Sequence, residues 1–462
     1  MLRRNGKTSN IVNRKRDRQE IFLELTRSLC PECRKVIDAE VLVKGNSVYL
    51  HKYCPEHGWF DCLISSDAGH YRDGQQFNKP GTLPQAFASI VKNGCPEDCG
   101  LCPEHKQHTC LGIIEITDAC DLNCSNCLTN SGGKSFLSLR QIEKMLNLYQ
   151  TCEGKPEVIQ ISGGEPTLHP ELFAIINTAR KKGIQIIQLK TNGLRIAQDD
   201  CFLEKLTKIK PAIYLEFDGL SPETYYHLRG LDLLEIKLSA IEKLAERDYS
   251  IVLSSTIARG INEHEIGKIA EFAIKHPAIK GVLFQPAAFT GRFRKATPLE
   301  RTTLPDIIKS LEIQTGKTLL KSDFIPVPCS FPGCFAITYV YNDLKQITTL
   351  PRLIDVENNL NYFKNRNIVD LLPLTRNQLE VLWSASATPG SDRVSETFVQ
   401  SCGLSPGTIP GMEKEITMIG IQALMDPYNF DLKLAKKCCT HIILPEGKMV
   451  PYCVYNNLRR GC

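Results

Sequence analysis

Between residues 111 and 292, short apolar runs alternate with amphipathic stretches. The runs are Gly112–Thr117, Glu157–Ser162, Ile184–Lys190, Ala212–Phe217, Ile251–Thr256 and Gly281–Gln285, each the length of one strand. Helical spacing of apolar residues fills Ser138–Leu148, Pro170–Lys182, Leu234–Arg247 and Glu263–Lys275. Ser138 followed by Gln141 reads as a capping box that opens the first of these helices. Six strands alternating with helices predict right-handed βα units and an α/β fold built on a parallel sheet. Periodicity alone leaves an incomplete barrel and an open sheet as alternatives.

Outside that block the pattern changes. Residues 20–110 are punctuated by Cys-Pro and Gly and read as a small module held by metal, because such a segment buries too little apolar surface unaided. From 293 to 462 the periodicity loosens, with amphipathic helices predicted at about 415–425 and 431–437. The chain thus divides into a tail (1–19), a cysteine-rich region (20–110), a βα core (111–292) and a C-terminal region (293–462). No fixed-period repeat is present.

Composition narrows the class. With 462 residues, 42% hydrophobic and 23% charged, the chain suits a well-packed globular protein. It has no long apolar run and no apolar leader after MLRRNGKTSN, which predicts a cytoplasmic protein. The net charge of +5 is concentrated in the tail, where Arg3, Arg4, Lys7, Arg14, Lys15, Arg16 and Arg18 face only Asp17. A frayed tail is the plain reading, and peripheral contact with an anionic membrane the sharper one. The body of the chain has no basic excess, so no nucleic-acid partner is expected.

Twenty cysteines in a chain without a secretory leader point to metal rather than disulfides. Cys120, Cys124 and Cys127 form a CxxxCxxC loop directly after the first core strand. Three thiolates in one loop hold three irons of a [4Fe–4S] cube and leave the fourth open, as an open zinc position is left for substrate. A structural zinc knuckle is the alternative. Farther on, Ser162-Gly163-Gly164-Glu165-Pro166 ends the second strand, where glycines admit a close ligand and Glu165 can meet an ammonium group.

These residues resemble the radical S-adenosylmethionine (SAM) superfamily. Lys190-Thr191-Asn192-Gly193, Glu216-Phe217-Asp218-Gly219 and Gln285-Pro286 follow in the superfamily's order. The resemblance implies a partial (β/α)6 barrel whose cluster at Cys120, Cys124 and Cys127 carries out the catalytic cleavage of SAM to a 5′-deoxyadenosyl radical. It also implies SAM-binding roles for Gly163, Gly164, Glu165, Pro166, Asn192, Asp218 and Gln285, and a low-potential electron donor such as ferredoxin or flavodoxin. One departure is Asn126, which stands where the superfamily usually has an aromatic residue against adenine.

The remaining cysteines suggest up to two further [4Fe–4S] clusters and one mononuclear ion. Cys95, Cys99, Cys102 and Cys110 make a closed four-thiolate set, with structural zinc as the alternative. Cys329, Cys334, Cys438 and Cys453 make a second, discontinuous set, against a reading of unligated core thiols. In this reading Cys152, Cys201, Cys402, Cys439 and Cys462 remain free thiols. Cys30, Cys33 and Cys54, with His57 or Cys62 as fourth ligand, suit one iron or zinc ion.

The order CPEC…CPEHG, CxxxCxxC…C, barrel and PCSFPGC…KKC…PYCVYN resembles the tetraether lipid synthases. That resemblance implies radical carbon–carbon coupling of membrane lipid alkyl chains. A radical methylase acting on a pterin precursor is the second reading, with a lipid or other small molecule as substrate accordingly. A non-catalytic multi-cluster electron carrier is a third, opposed by the open cysteine loop and GGEP.

Overall fold

A computed structural model describes residues 20–129, 131–293, 297–342, 346–353, 378, 380–401 and 415–460. The basic tail, Cys402 and Cys462 lie outside the described residues.

The N-terminal module holds more regular structure than its turn-rich sequence predicts. Strands β1 (Glu20–Leu29), β2 (Val36–Lys44), β3 (Ser47–Cys54) and β4 (Gly58–Ser65) pair antiparallel in chain order. Along β3 every second side chain, Val48, Leu50, Lys52 and Cys54, turns inward. The inward Lys52 is satisfied by four oxygens: Ser28 Oγ at 2.9 Å and the carbonyls of Leu29, Pro427 and Tyr428 at 2.8, 2.7 and 2.8 Å. One buried amine therefore fastens the ribbon to the C-terminal region.

The predicted six strands are all present as parallel neighbours: β5 (Leu111–Glu115), β6 (Val158–Ser162), β7 (Ile186–Thr191), β8 (Ala212–Glu216), β9 (Ile251–Ile257) and β10 (Ile279–Pro286). The helix Leu139–Glu153 opens on Ser138, and both halves of its capping box form. Helices Leu172–Lys181, Leu234–Ala245 and Ile266–Lys275 follow the expected periodicity, and Asp200–Ile209 and Pro222–Arg229 add to them.

The C-terminal region extends the sheet at both ends. On one side β11 (Ile325–Pro326), β12 (Phe335–Asn342) and β13 (Ile347–Thr349) lie beyond β14 (Ile416–Gln422), which pairs parallel with β10. On the other, β15 (Thr440–Leu444) pairs parallel with β5 and turns back as β16 (Lys448–Pro451). Eight parallel strands thus run side by side.

The helix expected at 415–425 is the strand β14. Its run Ile-Thr-Met-Ile-Gly-Ile is buried on both faces, and its β-branched residues favour the pleated conformation between two neighbours. The helix expected at 431–437 forms as Leu432–Lys436, with Asp431 capping the Lys433 amide.

Tyr149 shows how a helix is locked onto the sheet. Its fully buried hydroxyl accepts from the Gly112 amide at 3.1 Å and donates to the Val158 carbonyl at 3.0 Å, bridging β5 to β6. Removing it leaves both backbone groups unpaired, so Tyr149→Phe is expected to lower stability by about 1–3 kcal/mol. Denaturant unfolding of the cluster-loaded protein measures this, and an unchanged midpoint would contradict the bridging role.

Candidate functional site

Parallel sheets present ligands at the carboxyl ends of their strands, where loops meet the ends of several neighbours. Cys120, Cys124 and Cys127 lie on the loop after β5 and line one cleft together with Gly163, Gly164, Glu165, Asn192 and Gln285. The loop is held from outside by Arg292. Its guanidinium donates to Asn123 Oδ1 at 2.6 Å and to the Ser131 carbonyl, while its amide donates to the Cys127 carbonyl at 3.0 Å.

The two glycines explain how this loop meets β6. The Gly164 amide donates to the Thr117 carbonyl and the Glu165 amide to the Ala119 carbonyl, both at 2.7 Å. A Cβ on Gly163 would stand 2.2 Å from the Thr117 oxygen, and one on Gly164 2.1 Å from that of Ala119. Gly163 also has φ +142, which side chains disfavour. Only glycine permits this approach.

Glu165 is buried behind them. Its carboxylate accepts from the Thr167 amide and hydroxyl at 3.0 and 2.6 Å, the Thr191 hydroxyl at 2.8 Å and the Asn192 amide at 2.7 Å. Burial nevertheless pushes its pKa up to about 7, with those hydrogen bonds pulling the other way. The three thiols differ in their surroundings. Burial pushes Cys120 up to about 12. Burial also opposes ionisation of Cys127, but the hydroxyls of Ser131 and Thr129, each 3.3 Å from its sulfur, bring it below the ordinary thiol value.

Two residues expected to contact SAM stand elsewhere. Asp218 is fully buried and does not line the cleft. Its oxygens accept from Arg229 Nε at 2.6 Å, Arg229 Nη2 at 3.0 Å and the Thr256 amide at 2.9 Å. It therefore orients Arg229, which with Glu216 does face the cleft. Pro166 begins the short turn Pro166–Leu168 and is not among the residues lining the cleft. Sequence reasoning missed Arg229, Ser254, Thr256 and Tyr452, all of which line the cleft. Ser254 and Thr256 stand in a run of three hydroxyl residues, Ser254–Ser255–Thr256, at the carboxyl end of β9, the one local signal that could have found them. Asn126 lines the cleft too, 6% exposed, and its Oδ1 has no partner among the described residues.

The donor set fits an iron–sulfur cube with SAM beside it. Three thiols share a cleft with a buried carboxylate, the Gly163–Gly164 backbone and an orphaned amide oxygen.

In the ribbon, ligand atoms of Cys30, Cys33, Cys54 and His57 all lie within 4.8 Å of one another, a tetrahedral donor set. His57 Nδ1 is 3.5 Å from Cys54 Sγ and 3.7 Å from Cys30 Sγ. Cys62, the other candidate for this position, is elsewhere. It sits four residues up β4 from Gly58, about 13 Å along the strand, and its sulfur accepts from Arg301 at 3.5 Å.

The auxiliary cysteines are regrouped. The Cys95 and Cys99 thiols hydrogen-bond each other, but Cys110 stands with Cys329 and Cys439 instead. Cys439, expected to be a free thiol, thus takes the place beside Cys329 that was assigned to its neighbour Cys438. Cys438 and Cys453 are the thiols whose charge reaches Cys334.

The family model of the HMPTM N-terminal zinc ribbon domain matches residues 22–66, and that of the radical SAM superfamily matches residues 114–273. Over 479 aligned residues the chain is 34% identical to the 7,8-dihydro-6-hydroxymethylpterin dimethyltransferase of Methanocaldococcus jannaschii, covering 94% of each chain. It is 27% identical over 172 residues to the GTP 3′,8-cyclase of Mannheimia succiniciproducens, 36% of this chain and 50% of that enzyme. The crystal structure of Streptococcus suis SuiB bound to S-adenosylmethionine aligns with a TM-score of 0.39 and 18% identity, over 45% of this chain and 47% of that chain. The full-length match, with the ribbon and the βα core in the same order, places the chain in the radical SAM superfamily, in the family of the M. jannaschii dimethyltransferase.

Proposed function

We propose that this radical SAM enzyme methylates a pterin precursor, the reading given second place in the sequence. The full-length relative supports it, whereas nothing in the comparisons supports coupling of lipid alkyl chains. Among the described residues no helix is long and apolar enough to cross a membrane.

The observation that carries the proposal is the chamber inside the barrel. It shares Lys190, Ser254, Gln285 and Tyr452 with the cysteine cleft, so the two spaces adjoin. Its polar lining includes four amides, Gln160, Gln188, Gln285 and Gln422, beside Lys190, Tyr214 and Ser254. Gln160 Nε2 donates to Gln188 Oε1 at 2.9 Å, and Gln188 Nε2 to Thr388 Oγ1 at 2.9 Å. Gln285 Nε2 donates to Gln422 Oε1 at 3.0 Å. Leu283, Phe335 and Met418 supply apolar wall between them. Amides offer paired donors and acceptors to the edge of a flat heterocycle, and the apolar wall covers its faces. An alkyl chain would leave the amide donors and acceptors that these pairs do not use facing hydrocarbon, at a cost of roughly 1–3 kcal/mol for each group left unpaired. The more apolar cavity of the protein lies between ribbon and barrel, lined by Leu50, Leu63, Tyr71, Phe331 and Met425, and shares no residue with the cleft.

The cluster and SAM, when bound, supply a carbon radical by one-electron cleavage. The protein's own groups position the reactants. The thiols of Cys120, Cys124 and Cys127 would hold the cluster, and the Gly163–Gly164 backbone keeps that loop against β6. Glu165 offers negative charge to the SAM ammonium group, and Arg229, fixed by Asp218, offers positive charge to its carboxylate.

Reduced, cluster-loaded protein given SAM as radical source, 7,8-dihydro-6-hydroxymethylpterin and a one-carbon donor (a second SAM or a methylene-carrying reduced pterin) is expected to yield methylated pterin by mass spectrometry. Absence of methylated product with either donor, with 5′-deoxyadenosine formed, would refute the substrate assignment. Gln188→Leu is expected to weaken pterin binding by roughly tenfold or more while leaving SAM affinity unchanged.

Glu165 gives SAM binding a pH dependence. Its folded-state pKa lies above the ordinary 4.5, so the carboxyl keeps its proton until pH rises through about 7. The charge that meets the ammonium group is present above that value and lost below it. SAM affinity, measured by equilibrium dialysis, is expected to rise about tenfold from pH 6 to 8. Glu165→Gln should flatten the dependence, and an equally steep profile in that variant would locate the titrating group elsewhere.

A further inference from the structure

The ribbon sheet has two edges, and the chain treats them differently. At β4 the Leu63 amide donates to the Pro298 carbonyl at 3.1 Å and the Ser66 amide to Thr303 Oγ1 at 3.3 Å, so chain between β10 and β11 covers that edge. β1 pairs with β2 on one side, and among the described residues no backbone hydrogen bond reaches its other side. Open edges are ordinarily short or charged, yet β1 runs for 10 residues and is apolar in its first half. Ile21, Phe22 and Leu25 are each more than half exposed, and Leu23 is exposed beside them. We propose that β1 pairs antiparallel with β1 of a second copy of this chain, joining two four-stranded ribbons into one sheet about a two-fold axis between Leu23 and Glu24.

A bulge fixes the register. Phe22 faces Leu42 on β2 and Glu24 faces Val41, so Leu23 is an extra residue that shifts the alternation of faces. Val41 and Ala39 belong to the ribbon core, which puts Glu24 and Thr26, opposite them, on the inner face. Glu20, Phe22, Leu25 and Arg27 consequently share the outer face. In an unbroken strand Glu20 and Arg27 would point to opposite faces, as would Phe22 and Leu25, and neither pair could meet across a two-fold axis. The bulge between them removes that conflict. Self-pairing about the Leu23–Glu24 bond sets Glu20 against Arg27 of the second copy and Phe22 against its Leu25, each pair occurring twice.

Opposite charges and apolar groups placed directly across a strand pair stabilise it, and like charges there oppose it. Other registers lose these matches. Centring on Thr26 sets Leu25 against Arg27 and leaves Ile21 and Phe22 beyond the paired strand, whereas centring on Ile21 sets Glu20 against Phe22 and leaves Leu25 out. Glu20 holds Lys44 of its own sheet through Oε1 at 2.8 Å, which leaves Oε2 for the guanidinium of the second copy. The two Glu24 carboxylates nearest the axis are each held by Lys433 of their own chain at 2.6 Å.

The test is sedimentation equilibrium of the full-length, cluster-loaded protein, with wild type expected to be a dimer. Glu20→Arg and Arg27→Glu each turn both attractive pairs into repulsive ones, and either variant alone should dimerise roughly tenfold more weakly or worse. An equimolar mixture of the two variants restores opposite charges at both positions, and should form a heterodimer roughly tenfold or more tighter than either variant with itself. A role for either charge within its own ribbon would not produce that rescue. Both side chains are exposed, and SAM affinity equal to wild type confirms that each variant folds. A monomeric wild type, a mixture that stays monomeric, or a dimer indifferent to both substitutions would overturn the proposal. So would a monomer that dimerises only after residues 1–19 are removed, because the tail would then occupy this edge.

Discussion

A parallel sheet that stops short of a closed barrel leaves two edges, each a row of unpaired amides and carbonyls, and the rest of this structure follows from how the chain occupies them. Residues 111–292 supply six strands, too few to close on themselves. The C-terminal region adds β14 to one edge and β15 to the other, both parallel, and then reverses on each side with an antiparallel strand. Both additions come from residues after 415, so one segment of chain reaches both edges. Tyr452, immediately after β16, then faces the space between cleft and chamber. The ribbon is drawn into the same arrangement through Lys52, whose amine binds two carbonyls of the segment between β14 and β15.

Inside this frame the cleft depends on charge set into its wall. Arg229 and Asp218, both buried, and Glu216 and Lys190, half-buried at the cleft wall, form a group in which each cation has a carboxylate nearby. Burial pushes Lys190 down, with Glu216 pulling it back. Breaking one member of such a group strands its partner, at a typical cost of about 3–5 kcal/mol. The motif residue Asp218 therefore acts through Arg229, and the group that faces the cleft is one step removed from the one the motif marks.

Legibility from sequence followed the range of the interaction. The six strands and the capped helix at Ser138 rest on local periodicity, and the CxxxCxxC loop and GGEP stand at strand ends where one linear stretch holds all the chemistry. The strand β14 was misread because a run buried on both faces has neither helical nor alternating period. The regrouping of Cys110, Cys329 and Cys439 was beyond reach for a different reason. Linear spacing favours the nearest cysteines, while the sheet brings together residues 110, 329 and 439 through strand pairing that no local signal encodes. Cys438 and Cys439 are adjacent, and the strand start at Thr440 decides which of them faces Cys329. His57 and Cys62 were separable only once the length of β4 was known.

The chamber shows why buried polar residues in strands are informative about substrate. Gln160 and Gln188 sit directly opposite each other on β6 and β7, in positions where a parallel sheet ordinarily places aliphatic side chains. They are satisfied by each other and by Thr388, so an entering ligand exchanges hydrogen bonds one for one and gains little net energy from each. Discrimination arises instead from the ligands that cannot make the exchange. A molecule that pushes these pairs apart without offering matching donors and acceptors strands amides already removed from water, and is rejected by more than a good ligand is attracted. Such a chamber favours a particular pattern of edges over apolar bulk, and it lies beside the cleft where the radical must be used.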